Sequence, residues 1–129
     1  MEAILQHDFS GKSILIVEDE LSNFALLEAL LQPTDANLIH CPTGHKAIDH
    51  IKNTPVIDLV LMDIKLPDIN GYDLTKEIRL LKPELPIIAQ TAFVMAGDKE
   101  KALLSGCNAY IPKPIDLNKL LDTMSGFLH

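Results

Sequence analysis

One apolar run restricts the possible folds of this chain more than any other feature of the sequence. Residues 56–62 read Val-Ile-Asp-Leu-Val-Leu-Met, and the run ends at Asp63. A segment this apolar is typical of a strand that is buried on both faces, as in parallel sheets covered by helices. Pro67 follows four residues after Asp63 and indicates a loop there. The sequence therefore predicts that a carboxylate lies where a central strand enters a loop, the usual place for chemistry in an open α/β sheet.

Strand-like and helix-like segments alternate five times along the chain. This alternation predicts parallel strands joined by right-handed crossovers, with helices on both faces of the sheet. Thr43, Asn70 and Asp116 are expected to cap three of the helices, and Gly106 to end a fourth. The predicted strands lie at residues 13–17, 37–41, within 56–62, within 86–91 and at 109–111, and the predicted helices at residues 21–31, 44–52, 71–81, 98–105 and from 116 to near the C-terminus.

Length and charge restrict the class of protein. The chain has 129 residues, which fits one domain with a real core, and its net charge is −7. A charge of that sign argues against nonspecific binding to nucleic acid or to an anionic membrane. Cys41 and Cys107 lie in no metal-ligand spacing, and no apolar stretch is long enough to span a membrane. We therefore expect a cytoplasmic domain over residues 11–129 with reduced thiols, preceded by a loosely ordered extension over residues 1–10.

The turn after the first predicted strand is acidic rather than glycine-rich. Glu18, Asp19 and Glu20 occupy it, so neither a GxGxxG fingerprint nor a Walker lysine-serine pair follows the strand. An acidic turn repels a nucleotide phosphate unless a metal lies between them, which excludes a dinucleotide site and disfavours flavin phosphate. Taken alone, Glu18 and Asp19 are most simply a solvated turn with an acidic helix cap. Together with Asp63 they favour a divalent cation, and carboxylates suit Mg²⁺, which keeps several waters and takes few protein ligands.

Four motifs lie at the predicted strand ends within residues 13–127, nearly the whole chain. They read ILIVEDE from residue 14, VLMDIKLP from residue 60 with Gly71, IIAQTA from residue 87, and YIPKP from residue 110. Each motif alone is weak, but the four in this order resemble the receiver domain of bacterial two-component signalling, the phosphorylatable module of response regulators and hybrid histidine kinases. The resemblance implies a flavodoxin-like, doubly wound (βα)5 fold of the α/β class. Its five-stranded parallel sheet has the order 2-1-3-4-5, with the switch point between the first and third strands.

The resemblance implies an acceptor and a metal site. Asp63 would accept a phosphoryl group from a phosphohistidine on a partner histidine kinase or histidine phosphotransfer domain, giving an acyl phosphate. Mg²⁺ would be bound directly by Asp19, by Asp63 and by the backbone carbonyl of Lys65, and partly through water by Glu18. The metal would offset the repulsion between these carboxylates and the incoming phosphoryl group.

The resemblance further implies that Thr91 and Lys113 bind the phosphoryl oxygens, since a mobile point charge suits that task. A cis peptide bond before Pro114 would aim Lys113 inward. Without the other motifs, Thr91 would be interpreted as a threonine at the end of a strand, and Lys113 as a surface lysine. Their roles in phosphoryl binding therefore depend on the resemblance as a whole.

Switching and phosphoryl lifetime are also implied by the resemblance. Thr91 would move toward the phosphoryl group and Tyr110 would turn inward behind it, altering the surface of the fourth helix, the fifth strand and the last helix. Tyr110 could instead be half-buried packing. Lys65 and Phe93 would flank the path of the hydrolytic water, and neither carries a carboxamide or carboxylate that could orient that water. A slow self-dephosphorylation is therefore expected.

Other interpretations fit the sequence less well than a working receiver does. A degenerate receiver would lack Asp63, Lys113 or a metal-binding acid, and none is missing. A small metal-dependent phosphatase with Asp63 as nucleophile would need a second acid where Lys65 stands. His40, His45 and His50 are interpreted as a solvated helix face rather than a metal site.

The expected partners are a histidine kinase or histidine phosphotransfer domain and a downstream protein, without nucleic acid or membrane contact. The domain is expected to be a monomer or a weak phosphorylation-dependent dimer that does not turn over as an independent enzyme. Segments 90–98 and 106–114 and the leader 8–12 resemble the receivers of hybrid histidine kinases. This favours a hybrid-kinase origin over a freestanding regulator, and both alternatives remain open.

Overall fold

The computed structural model describes residues 7–91 and 97–128. Among these residues, no helix combines the length and the apolar character needed to cross a bilayer. The elements follow the predicted alternation of strand and helix. They are β1 Ser13–Val17, α1 Leu21–Leu31, a 3-10 turn Gln32–Thr34, β2 Asn37–Cys41, α2 Gly44–Asn53, β3 Leu59–Asp63, α3 Gly71–Leu81, β4 Ile87–Thr91, α4 Asp98–Ser105, β5 Ala109–Pro112 and α5 Leu117–Ser125.

The five strands form one parallel sheet in the order β2-β1-β3-β4-β5, which confirms the predicted flavodoxin-like topology. Val17 pairs with Met62 across β1 and β3, and Asp63 pairs with Gln90 across β3 and β4. This register brings the carboxyl ends of the three central strands to the same edge of the sheet. The chain continues from β1 to β2 on one side of this pair and from β3 to β4 on the other. That edge therefore contains the switch point at which open α/β sheets bind ligands.

The sheet separates two apolar layers, and β3 contributes to both. Val60 and Met62 pack toward α2, α3 and α4, whereas Leu59 and Leu61 pack toward α1 and α5. Every residue of β3 is buried, as the apolar run predicted. A strand covered on both faces cannot shift by one residue without exchanging its two sets of contacts, so the position of its last residue, Asp63, is firmly set.

The helix ends carry the predicted caps. The side chains of Thr43, Asn70 and Asp116 each accept a hydrogen bond from the backbone N–H three residues on. Gly106 ends α4 with a φ of 114°, in the left-handed region that favours glycine. The boundaries differ by a single residue in three places: α2 ends at Asn53, β3 extends to Asp63 and β5 extends to Pro112.

The expectation of a loosely ordered segment before residue 11 is wrong for Phe9. Its side chain is only 3% exposed and packs in the layer under α1 and α5. Its backbone N–H donates to the carbonyl of Thr34 at 2.8 Å, which ties the chain to the turn before β2. An aromatic side chain buried this completely gains enough from leaving water to order the short segment that carries it. The packed domain therefore includes Phe9.

Candidate functional site

Three carboxylates converge at the switch point. Glu18 and Asp19 follow β1 directly, and Asp63 is the last residue of the neighbouring β3. One oxygen from each lies within 4.8 Å of the others. Glu18 and Asp63 are buried, whereas Asp19 is exposed at the mouth of the site. The pairing of β1 with β3 produces this convergence, because it brings the two strand ends side by side.

Lys113 reaches the same place from β5. Its Nζ lies 3.1 Å from Glu18 Oε1 and 3.2 Å from Asp63 Oδ2. The peptide bond between Lys113 and Pro114 is cis, as the resemblance implied. The backbone N–H of Lys113 donates to the carbonyl of Thr91 at 2.8 Å, which ties this segment to the end of β4. One ammonium group is thereby shared between two carboxylates.

The electrostatics of the site reflect an excess of negative charge. Burial disfavours the charged form of Lys113, but the hydrogen bond to Glu18 and the attraction of Asp63 outweigh it, so the pKa of Lys113 is raised. Burial also raises the pKa of Glu18, the charge of Asp63 adds to that effect, and hydrogen bonds from Lys113 and the Glu20 N–H oppose it. Three carboxylates against one ammonium leave a formal charge of −2. The arrangement therefore suits a divalent cation.

Thr91 and Lys65 line the same cleft as the acids. Thr91 ends β4 and is 5% exposed. The backbone N–H of Lys65 donates to Asp63 Oδ1 at 3.1 Å, which fixes the orientation of that carboxylate. The cleft has a volume of about 710 Å³, enough for a phosphoryl group with a hydrated metal ion. Its lining residues are Asp19, Glu20, Asn23, Asp63, Lys65, Leu66, Pro67, Thr91 and Lys113.

Two predicted residues lie away from the cleft or outside the described residues. Tyr110 lies on β5 opposite Ala89 and is partly buried against the layer that carries α2, α3 and α4. Burial raises the pKa of its hydroxyl, and the charge of Asp98 adds to that effect. Phe93 falls outside the residues that the structure describes.

Two neighbours of the site were not predicted as such: Glu20, which the sequence indicated only as part of the acidic turn, and Asn23. Glu20 and Asn23 line the cleft, and the Glu20 backbone N–H donates to Glu18 Oε2 at 3.2 Å. Asn23 Nδ2 lies 3.4 Å from Glu20 Oε2. The signal for Asn23 is its place three residues after Glu20, at the start of the predicted helix, where the two side chains share a face.

The position of His40 differs from the solvated helix face that the sequence predicted for the three histidines. It lies on β2 rather than on a helix, and its ring is half-buried. The ring stacks on Phe24 with centroids 4.0 Å apart and planes 10° apart, and Nε2 lies 2.7 Å from the carbonyl oxygen of Glu18. The solvated helix face predicted for the three histidines is therefore wrong for His40.

Comparison with known proteins agrees with this geometry. Residues 14–125 match the model of the response regulator receiver domain family. That span covers most of the chain, so the protein belongs to the response regulator receiver family, the receiver domains of two-component signalling.

Individual relatives extend the comparison. The chain is 37% identical over 123 residues to the polar-differentiation response regulator DivK of Brucella ovis, covering 91% of this chain and 96% of that protein. It superposes with a TM-score of 0.84 on the receiver domain of a sensor histidine kinase from Pseudomonas aeruginosa, at 33% identity over 92% of this chain and 98% of that one. That relative has a magnesium ion coordinated in its active site cleft.

A third relative was crystallised with a partner. The chain resembles, with a TM-score of 0.83 and 31% identity, a receiver domain from Saccharomyces cerevisiae bound to a histidine phosphotransfer signalling protein. The match covers 93% of this chain and 90% of that one.

Proposed function

We propose that Asp63 accepts a phosphoryl group from a phosphohistidine and that Mg²⁺ assists the transfer. The observation that carries the proposal is the sharing of one ammonium, that of Lys113, between the carboxylates of Glu18 and Asp63. Asp63 ends the doubly buried strand β3, and together with Lys113 it lines a cleft of about 710 Å³. A carboxylate in that position can attack phosphorus while a cation already stands beside it.

The carboxylate trio would hold the metal. Asp19, Asp63 and the backbone carbonyl of Lys65 would be direct ligands, and Glu18 would act partly through water. Oxygen donors are the ligands that Mg²⁺ prefers, and few of them come from protein in such sites. When bound, the metal neutralises charge on the transferring phosphoryl oxygens.

The protein's own groups would bind and orient the phosphoryl group. An Asp63 oxygen forms the new bond to phosphorus as the bond from phosphorus to the donor histidine breaks, and the histidine nitrogen keeps the electron pair. Lys113 would then follow the negative charge from the carboxylate to a phosphoryl oxygen, and the Thr91 hydroxyl would donate to another. The N–H of Lys65 keeps one Asp63 oxygen in place, which leaves Oδ2 as the oxygen nearest Lys113.

Phosphorylation of Asp63 would be passed on as a signal through a change at Thr91 and Tyr110. Thr91 would move toward the phosphoryl group, Tyr110 would turn inward, and the surface of α4, β5 and α5 would change. Lys65 and Phe93 would set the lifetime of the acyl phosphate. The product is a signalling state rather than a released compound, so the domain does not act as an independent enzyme.

The cellular setting is part of the same proposal. The donor would be a histidine kinase or a histidine phosphotransfer domain, and the receiver of the signal a downstream protein in the cytoplasm. The hybrid-kinase origin favoured by segments 90–98 and 106–114 stays a prediction, and the length of the full open reading frame tests it.

Acetyl phosphate offers a direct test without a partner. Incubation with acetyl phosphate and Mg²⁺ should raise the intact mass by one phosphoryl group, and Asp63→Asn or EDTA should abolish that rise. Asp58→Asn is a matched control, because Asp58 lies on the same segment before β3 and its carboxylate accepts from the N–H of Ser13, away from the cleft. Labelling that survives Asp63→Asn or EDTA would show that the acceptor or the metal has been assigned wrongly.

A further inference from the structure

His40 holds the peptide group that joins the two acids of the β1 turn. Its Nε2 lies 2.7 Å from the carbonyl oxygen of Glu18. A carbonyl oxygen only accepts, so Nε2 carries a proton and donates it. The backbone N–H of Glu18 donates in turn to the carbonyl of Cys41 at 3.1 Å. Consecutive residues at the end of β2 therefore hold both backbone polar groups of Glu18.

Phe24 fixes the ring of His40. The two rings stack with centroids 4.0 Å apart and planes 10° apart, and Phe24 itself packs against the apolar layer under α1 and α5. A half-buried ring held between a carbonyl and an aromatic face has little rotational freedom. The hydrogen bond to Glu18 is thus supported from α1 as well as from β2.

The position of Asp19 depends on that hydrogen bond. The carbonyl of Glu18 and the N–H of Asp19 belong to one planar peptide group. A hydrogen bond that fixes the carbonyl therefore also fixes the orientation of the backbone at the nitrogen of Asp19. Glu18 and Asp63 are buried and held by packing and by Lys113. Asp19 is the exposed member of the trio, and surrounding packing contributes least to its position.

We propose that His40, supported by Phe24, is a positioning residue that holds Asp19 in place to bind the divalent cation. The inference rests on the proposed function, because it assigns His40 a role in the same metal site. His40 touches neither the metal nor the phosphoryl group; it acts through the backbone of Glu18. Groups that orient metal ligands from outside the coordination sphere typically change affinity by one to two powers of ten.

Two substitutions at residue 40 separate the hydrogen bond from the bulk of the ring. His40→Leu keeps an apolar side chain beside Phe24 but removes the donor. His40→Gln places an amide Nε2 at a similar reach and restores the donor. Phe24→Leu leaves the donor and removes its stacked support. His50→Leu is the matched control, because it makes the same change on the adjacent α2, where His50 lines, together with His40, a cavity separate from the cleft of the acids.

The experiment measures phosphorylation by acetyl phosphate as a function of Mg²⁺ concentration, together with Mg²⁺ binding by calorimetry. His40→Leu should raise the half-saturating Mg²⁺ concentration roughly tenfold while reaching nearly the wild-type rate at saturation. His40→Gln should recover most of the loss, Phe24→Leu should show a smaller shift in the same direction, and His50→Leu should match the wild type. A purely structural defect would lower the maximal rate and would not respond to Mg²⁺.

The outcomes distinguish this inference from the function on which it rests. If the wild type binds Mg²⁺ and labels Asp63 but His40→Leu has an unchanged half-saturating concentration, the positioning role is wrong and the function stands. If His40→Gln is as impaired as His40→Leu, the donor is not the cause and the role is also wrong. If the wild type itself needs no Mg²⁺, both proposals fall. If His40→Leu does not fold, wild-type behaviour of Phe24→Leu overturns the inference and a shift in its Mg²⁺ dependence supports it.

Discussion

Lys113 Nζ lies 3.2 Å from Asp63 Oδ2, although the two residues are 50 positions apart in the chain. The side chains are 18% and 11% exposed, so the pair is largely removed from water. Breaking a buried pair leaves an uncompensated charge, which is more costly than losing a surface ion pair. The contact therefore links the end of β5 to the end of β3.

Removal of Lys113 should separate metal binding from phosphorylation. We expect Lys113→Ala to leave Mg²⁺ affinity intact or higher, because a competing positive charge is lost, and to slow phosphorylation of Asp63. Calorimetry with Mg²⁺ and intact-mass kinetics with acetyl phosphate give the two quantities. Lys119→Ala, on the exposed face of α5, is the control. Wild-type labelling and signalling by Lys113→Ala would show that Lys113 is merely a surface lysine.

Metal binding should stabilise the fold. A ligand present at a hundred times its Kd adds about 2.7 kcal/mol to the free energy of unfolding when it binds only the native state. Urea denaturation in EDTA and in excess Mg²⁺ measures this increment. Asp19→Asn should raise the stability of the metal-free protein, because it removes one of three repelling carboxylates, and should shrink the increment. Equal stability with and without Mg²⁺ in the wild type would argue against the metal site.

Gly71 allows α3 to lie close to the backbone of Asp63 and Ile64 at the end of β3. A Cβ at this position would lie 2.7 Å from Ile64 Cα and 3.1 Å from the carbonyl oxygen of Asp63, and both are backbone atoms. Gly71→Ala should therefore push the backbone next to the acceptor, costing roughly 1–3 kcal/mol of stability and slowing phosphorylation. Gly126→Ala is the control, because its Cβ would come no nearer than 3.4 Å to another atom. Denaturant unfolding and labelling rates that match between the two variants would contradict this account.

The sequence predicted most of the fold because its strongest signals are local. The apolar run before Asp63, the caps at Thr43, Asn70 and Asp116, and the left-handed Gly106 each act within a few residues. The convergence of Glu18, Asp19 and Asp63 followed from the strand order 2-1-3-4-5 that the resemblance implied, because the carboxyl ends of neighbouring parallel strands lie side by side.

What the sequence did not predict depends on contacts between distant segments. His40 and Phe24 come from different elements, and no spacing rule indicates that their rings stack. Phe9 lies in a polar leader, and its burial depends on a turn 25 residues later. Leu21 is an apolar residue of the predicted helix 21–31, yet it is 74% exposed, because the helix turns the side that carries Leu27 and Leu31 toward the sheet.

The lifetime of the acyl phosphate should respond to the side chains at positions 65 and 93. Hydrolysis needs a water in line with the phosphorus–oxygen bond, and neither lysine nor phenylalanine orients one. The Lys65→Asn, Phe93→Glu double variant should therefore lose its phosphoryl group roughly ten- to a hundredfold faster than the wild type, about 1.4 kcal/mol of barrier for each tenfold. The decay of phosphorylated protein after removal of acetyl phosphate measures the rate. A double variant that decays no faster would disprove the role of these positions without affecting that of Asp63.

The fifth strand also limits how copies of this domain can associate. It has four residues, forms one margin of the sheet and ends in Pro112, which has no N–H to offer a further strand. A short edge strand that ends in proline is a poor template for pairing with a strand of a second molecule. We therefore expect association on this side of the domain to use side chains on the helices, where the proposed change of surface at α4 and α5 would act.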